Sequence, residues 1–495
     1  MKPPISGVEF NWRAKLLFRF GCAAMIALMV ACAPKFAMTV LINMIDDQEV
    51  YFRNEVVPPF EKSSRGKIDV VGYAQMDSME HELGRHAGMA GLIKVPFGKS
   101  AALIRNDKVL PLDAFLSASE LDEFKSSYML TSLGQANGKQ YYVPRKFETR
   151  IMVFCKSKVD DALATWRHYK DTIGAAMKSI NGYGLPANYL LEKDPNTWDY
   201  FDLFVLGWIW SRTPYGGAIE PRIAHRGKRY SGTSLRIVDR IFQCNGDSAN
   251  VLRMRGDAVV DALHWEAVYA AADIYNRRMW EEGWSGVGVW EGFRQGRVFL
   301  SFMTQLDCFF IHGTGRDGLD GYLENEDDMH VAVMPAGCSA MLDKNGVIAR
   351  HGRKSITTGG WWWGIPKNTP DPRQSYSLAR HITSTRNQMQ GCSRFGMIPV
   401  RKDILSDMSM MFGGGWITQV YEVSFKQLMH NKFTVVPSNP HFDAISQLYL
   451  DAWFDIVVGQ NWSADKKTPD WNYIKDLLSD RYAPHATAML KGNRP

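Results

Sequence analysis

Residues 38–47 read Met-Thr-Val-Leu-Ile-Asn-Met-Ile-Asp-Asp. The run Met38 to Ile45 is apolar and rich in strand formers, and the two aspartates end it ahead of a helix-like stretch that reaches Phe60. Ile68 to Val71 reads as the next strand. The alternation of strand and helix continues through Leu112, which argues for an α/β layer architecture. Asp46 and Asp47, and later Phe97 and Asp307, stand just after strand ends, where ligands sit in open α/β sheets.

Further along, Gly134 to Val143 reads as a turn and a strand, and Ile151 to Phe154 as another strand. Residues 160–255 mix helical patterns with turns such as Pro214-Tyr215-Gly216-Gly217 and resist parsing. Val260, Leu263, Ala267, Ala270 and Ile274 follow helical spacing, with Asp257 as a cap and Gly283 as the stop. Strands are expected at Val298–Met303, Val331–Met334 and Trp361–Ile365. Helices are expected after Asp371-Pro372, Asn439-Pro440 and Thr468-Pro469.

The beginning of the chain carries an address. Arg13, Lys15 and Arg19 precede the uncharged stretch Phe20 to Val30. At 11 residues this stretch falls short of the about 20 that a membrane-spanning helix needs, and it fits the centre of a secretory signal peptide. Leu28-Met29-Val30-Ala31-Cys32 resembles a bacterial lipobox, which makes Cys32 the expected lipid acceptor and residues 1–31 the leader. The expected location is exported, periplasmic or at the cell surface, with a lipid anchor in the membrane.

The net charge of +6 comes without a long basic run, so nucleic acid is not an expected partner. The densest basic patch, Arg222 to Arg229, reads as a solvated loop. Cys155, Cys244, Cys308, Cys338 and Cys392 follow Cys32 without a CxxC pair, which argues against structural zinc. Export permits a disulfide, but the spacing selects no pair. His81 and His86 lie five apart, turned about 140° from each other on a helix, so His81-Glu82 does not open a zinc-protease motif. Gly313, Gly315 and Gly318 match GxGxxG without a helix to follow, and the acidic residues Glu324, Glu326, Asp327 and Asp328 lack the spacing of a calcium loop. No metal and no cofactor are expected.

Six segments in order resemble the bacterial extracellular solute-binding proteins of family 1. They are Val56 to Lys62, Val109 to Asp113, Gly138 to Lys156 (with Val143-Pro144, Glu148 and Phe154-Cys155-Lys156), Phe293 to Val298, Gly359 to Lys367, and Gly396 to Lys402. The resemblance implies a two-lobed, periplasmic-binding-protein-like α/β fold of type II. Its hinge strands would cross near Pro144–Arg150, Pro335–Thr358 and Val400–Ser406. The lobes would be residues 32–146 with 340–405, and residues 147–339 with 406–495. It implies a monomer that holds a sugar or oligosaccharide in the cleft and delivers it to ABC permease subunits, with no bond made or broken. A non-sugar solute (polyamine, phosphodiester or peptide fragment) stays open, as does a secreted glycan-processing enzyme, although no flanking carboxylate pair can be picked for the latter.

Sugars present hydroxyls to polar groups and C–H faces to aromatic rings. By the resemblance, Glu148 is the carboxylate that reaches the sugar. Trp361 is the leading aromatic candidate; strand alternation puts Trp363 on its side and Trp362 on the other. Trp198, Tyr200, Trp208 and Trp210 form a second aromatic group in a region where relatives stack sugars.

Overall fold

The strand Phe36–Ile42 is buried over its last five residues because it runs between two parallel neighbours. A strand covered on both faces needs a continuous apolar run, which is why Met38 to Ile42 shows no polar alternation. The computed structural model describes residues 36–73, 78–313, 321–405, 414–430, 434–435, 437, 439 and 441–492. Residues 1–31, expected to be a leader, Cys32, and Gly315 and Gly318 of the glycine motif lie outside the described residues.

The described chain divides into two compact units, one formed by the residues up to Ile93 with Asn368–Leu378, the other by Lys94–Lys367 and the residues from Ala379 on. In the first, Phe36–Ile42 pairs in parallel with Gly66–Gly72 on one side and with Ala90, Leu92 and Ile93 on the other. The intervening helix begins at Asp46 and runs on through Ser64, four residues past the expected Phe60. Its middle, Phe52–Val56, widens to i→i+5 bonding just before Pro58 and Pro59, which have no N–H to give to the preceding turn. Arg65, at φ 55°, ends it.

The second unit contains a four-stranded sheet. Arg150–Cys155 lies at its centre, antiparallel to Leu300–Thr304 on one side and Met329–Ala332 on the other, with Ile223–Ala224 parallel to Leu300–Ser301 at the edge. A second antiparallel pair, Tyr142–Glu148 with Thr357–Gly364, carries the residues of interest below.

The stretch 160–255 that resisted parsing holds four helices, Lys156–Asn181, Tyr200–Trp210, Ser231–Gln243 and Ser248–Arg253. Every residue of Tyr200–Trp210 is buried, so it has no polar face and shows no helical period in the sequence. Glu266, fully buried, binds the guanidinium of Arg236 through two bonds of 2.8 and 2.7 Å, pairs with Arg240, and accepts from Tyr275 and Trp453. It thereby ties the helices Ser231–Gln243, Asp257–Ala271 and Phe442–Trp453 together.

Two sequence expectations are corrected. The helix from Asp257 ends at Ala271 and not at Gly283, because Asp273 turns into the left-handed region at φ 53°; a separate turn of helix follows at Arg278–Glu281. The basic run 222–229 is not a solvated loop over most of its length. Arg222 is 2% exposed and donates to the carbonyls of Ala218, Tyr215 and Gly296, His225 is buried, Arg226 is partly exposed, and Lys228 and Arg229 face water. The later helices stand at Pro372–Ile382, Phe442–Trp453 and Trp471–Leu477, near the expected starts. All five described cysteines are buried as free thiols.

Candidate functional site

The strand Tyr142–Glu148 and its partner Thr357–Gly364 place Trp361 opposite Lys146 and Trp362 opposite Pro144, skipping Arg145. This bulge re-aims the side chains around it. Gly360 permits the close approach, since a Cβ there would lie 2.4 Å from the Lys146 carbonyl oxygen. The three tryptophans part company as a result. Trp362 is buried against Phe97, Phe147 and Tyr142 with ring centroids 5.9, 6.1 and 6.4 Å away, and Trp363 is fully buried, whereas Trp361 is partly exposed.

Trp361 donates its indole N–H to Glu148 Oε1 at 3.2 Å, and Lys146 Nζ lies 2.7 Å from the same oxygen. Lys146 and Glu148 are two apart on one strand, so they share a face. Lys94, only 3% exposed on the strand Ala90–Pro96, sets its ammonium 3.6 Å from the centre of the Trp361 ring. Burial works against the Glu148 charge, but Lys146, Lys94 and the indole N–H outweigh it and bring the carboxyl down to about 2. Burial, reinforced by Arg145 and Lys146, pushes Lys94 well below the usual lysine range against the pull of Glu148. Burial likewise lowers Arg145 to about 10, with Glu148 opposing.

A second polar corner adjoins this one through the backbone. Thr149 N–H donates to Gln305 Oε1 at 3.1 Å, and Arg150 pairs in register with Thr304. Thr304 opens the helix Gln305–His312, and Asp307 closes its capping box by accepting from the Thr304 N–H and hydroxyl at 2.9 and 2.6 Å. Asp307 also accepts with both oxygens from Nη2 of Arg226, at 3.0 and 2.9 Å, and from the Trp290 indole N–H at 2.9 Å. The Asp307 carboxylate pulls Arg226 above its ordinary value, against the effect of burial. Trp290 stacks on Phe310 with centroids 4.3 Å apart and planes at 13°. Both rings are partly exposed, while Asp307 is 1% exposed and serves as their anchor.

The remaining sequence candidates make other contacts. Trp198 is fully buried and donates to the Glu192 carbonyl at 2.8 Å, and the Tyr200 hydroxyl donates to Gln243 Oε1 at 2.5 Å. Trp208 packs under the Arg212 guanidinium, 4.8 Å from its ring, and Trp210 is fully buried. These four side chains build the interior around the helix Tyr200–Trp210. Asp46 and Asp47 are exposed in the first turn of their helix in the first unit. Phe97 packs behind Trp362 and lines a cavity of ≈ 580 Å³ with Ser100, Ile104 and Tyr141.

Lys94, Lys146, Arg226 and Trp290 are absent from the sequence candidates. A signal existed for three of them. Lys94 interrupts the apolar run Ala90 to Val95, Lys146 stands at strand spacing from Glu148, and Arg226 belongs to the densest basic run of the chain. Trp290 carried none, since its role depends on the distant Asp307.

The family model described as bacterial extracellular solute-binding protein matches residues 55–411. The chain belongs to that family. No curated protein matches it. Among solved structures, maltose-bound MalE3 of T. maritima is 13% identical with a TM-score of 0.62, over 90% of this chain and 98% of that one. The GacH receptor of Streptomyces glaucescens, solved unliganded and with acarbose, is 12% identical with a TM-score of 0.63, over 93% and 99%. The ABC substrate-binding protein Lmo0181 of Listeria monocytogenes, in complex with cycloalternan, is 10% identical with a TM-score of 0.63, over 93% and 100%. At these identities the likeness establishes the fold, which is the α/β solute-binding protein fold expected from the sequence. The family and these structures are binding proteins, and the family is extracellular. Among the described residues, no helix is long and apolar enough to cross a membrane.

Proposed function

We propose that this solute-binding protein captures a sugar or oligosaccharide and delivers it to the transmembrane subunits of an ABC importer, held at the membrane by lipid on Cys32. The observation that carries the ligand class is the joining of Glu148 to Trp361. A charged acceptor and a partly exposed indole meet within 3.2 Å, the pairing that a pyranose ring calls for. Carboxylates make strong bonds to hydroxyls, and the flat ring accepts the C–H face. Trp290 and Phe310, anchored by Asp307, offer a second aromatic surface beyond the strand end at Thr304. The ligand leaves unaltered, and the protein contributes binding energy and orientation alone.

A thermal-shift panel of mono- and oligosaccharides, polyamines, phosphodiesters and short peptides tests this reading, since a tight ligand raises the melting temperature by mass action. At least one sugar is expected to stabilise the protein. Glu148→Gln is expected to weaken that sugar by about 10- to 100-fold, the loss of a bond to a charged group worth about 1.5–3 kcal/mol. Trp361→Ala is expected to weaken it as well. Stabilisation by a polyamine or phosphodiester with no response to any sugar would reject the ligand class, and new reducing ends during incubation with glycans would reject passive binding. Mass spectrometry of the mature protein checks for diacylglycerol on Cys32.

A further inference from the structure

We propose that Lys146, assisted by Lys94, is a positioning residue that ties down one oxygen of Glu148 and presents the other, Oε2, to the hydrogen-bond donors of the ligand. This rests on the reading of Glu148 and Trp361 as ligand-binding residues and specifies how they are used. Lys146 and the Trp361 indole N–H both sit on Oε1, at 2.7 and 3.2 Å. The side chain of Glu148 is 33% exposed and that of Lys146 is 6% exposed. The Glu148 side chain is therefore more open to solvent than the lysine that steers it.

A glutamate carboxylate turns freely about its last torsion, whose wells are broad. Lys146 removes that freedom before a ligand arrives, so less ordering remains to be done on binding. Lys94 acts one step further back. Its ammonium, 3.6 Å from the ring centre, fixes the plane of the indole whose N–H is the second donor on Oε1. An oxygen with two lone pairs accepts two hydrogens, which suits the adjacent hydroxyls of a pyranose ring. The charges facing Glu148 are Lys146, Lys94 and Arg145, and they hold it ionised against burial.

The test compares the native protein with Lys146→Met, Lys146→Gln, Lys146→Arg and Lys94→Met. Glu148 is followed by side-chain carboxyl NMR, with Glu148→Gln supplying the assignment, and maltotetraose binding is followed by calorimetry between pH 3 and pH 8. Lys146→Met and Lys146→Gln are expected to move the Glu148 titration up toward the ordinary carboxylate range. They should raise the acid limb of binding with it and weaken binding at pH 7 by about 10-fold. Lys146→Gln keeps a hydrogen-bond donor on a chain one atom shorter, so it reports on the charge even where the methionine variant folds poorly. Lys146→Arg should restore the titration, and Lys94→Met should shift it less than Lys146→Met. An unmoved titration and pH profile in both uncharged variants would overturn the proposal. A titration that moves as expected in a protein that binds no sugar would reject the sugar reading and leave Lys146 as the positioning residue of the carboxylate.

Discussion

Charge at single residues follows opposite rules in two parts of the second unit. Glu148 is drawn below its ordinary value by cations, whereas Asp202, at the start of the buried helix Tyr200–Trp210, is driven up to about 7. Burial is the main cause there and the neighbouring Asp199 carboxylate adds to it, against bonds from the Asp199 N–H, the Tyr189 hydroxyl and the Glu192 N–H. The fold therefore holds the Asp202 proton more tightly than the unfolded chain does. Its contribution to stability is complete below the ordinary carboxylate value of about 4 and is lost as pH rises through about 7. The melting temperature is expected to fall between about pH 4 and pH 7, and Asp202→Asn should flatten that slope. A slope unchanged by the substitution would place the proton elsewhere. At this scale Glu148 and Trp361 were legible because one motif and one run of tryptophans drew attention to each. Lys94 and Arg226 were passed over because a basic residue in a sequence declares its charge and not its partner.

Helices were legible where one face is polar and opaque where none is. The helix Phe442–Trp453 carries its periodicity openly, and the buried face Phe442, Ile445, Tyr449 and Ala452 is the one the spacing marked, whereas the strand Phe36–Ile42 was legible as an unbroken apolar run. Tyr200–Trp210 has no such face, and the helix from Asp257 breaks at Asp273 without glycine or proline to announce it. The close seating of the buried helix can be measured. Gly207 faces Ile274, and a Cβ there would stand 2.3 Å from its Cγ2. Gly207→Ala improves helix propensity but overfills the contact, so a net loss of about 1–3 kcal/mol is expected by urea unfolding. A gain in stability would mean that Ile274 yields freely.

Across the whole chain, the fold was readable from strand–helix alternation and ordered motifs, while the organisation of the interior was not. Glu266 lies between residues far apart in sequence, from Arg236 to Trp453, and no local pattern forecasts such a node. Removing it by Glu266→Ala leaves two buried guanidinium groups without their carboxylate, and a loss of about 3–5 kcal/mol is expected in chemical denaturation. A loss below about 1 kcal/mol would show that water or a neighbouring group takes over the charge.

The helix Tyr200–Trp210 has a bearing on how the protein is made. Its eleven residues include Phe201, Leu203, Phe204, Val205, Leu206, Trp208, Ile209 and Trp210, all hidden once folding is complete. In a nascent or translocating chain the same residues form a sticky tract, open to self-association and to lipid. Any pathway that passes this polypeptide through a pore unfolded must therefore shield that tract, so production of the protein will depend on holdase capacity as much as on the stability of the finished fold.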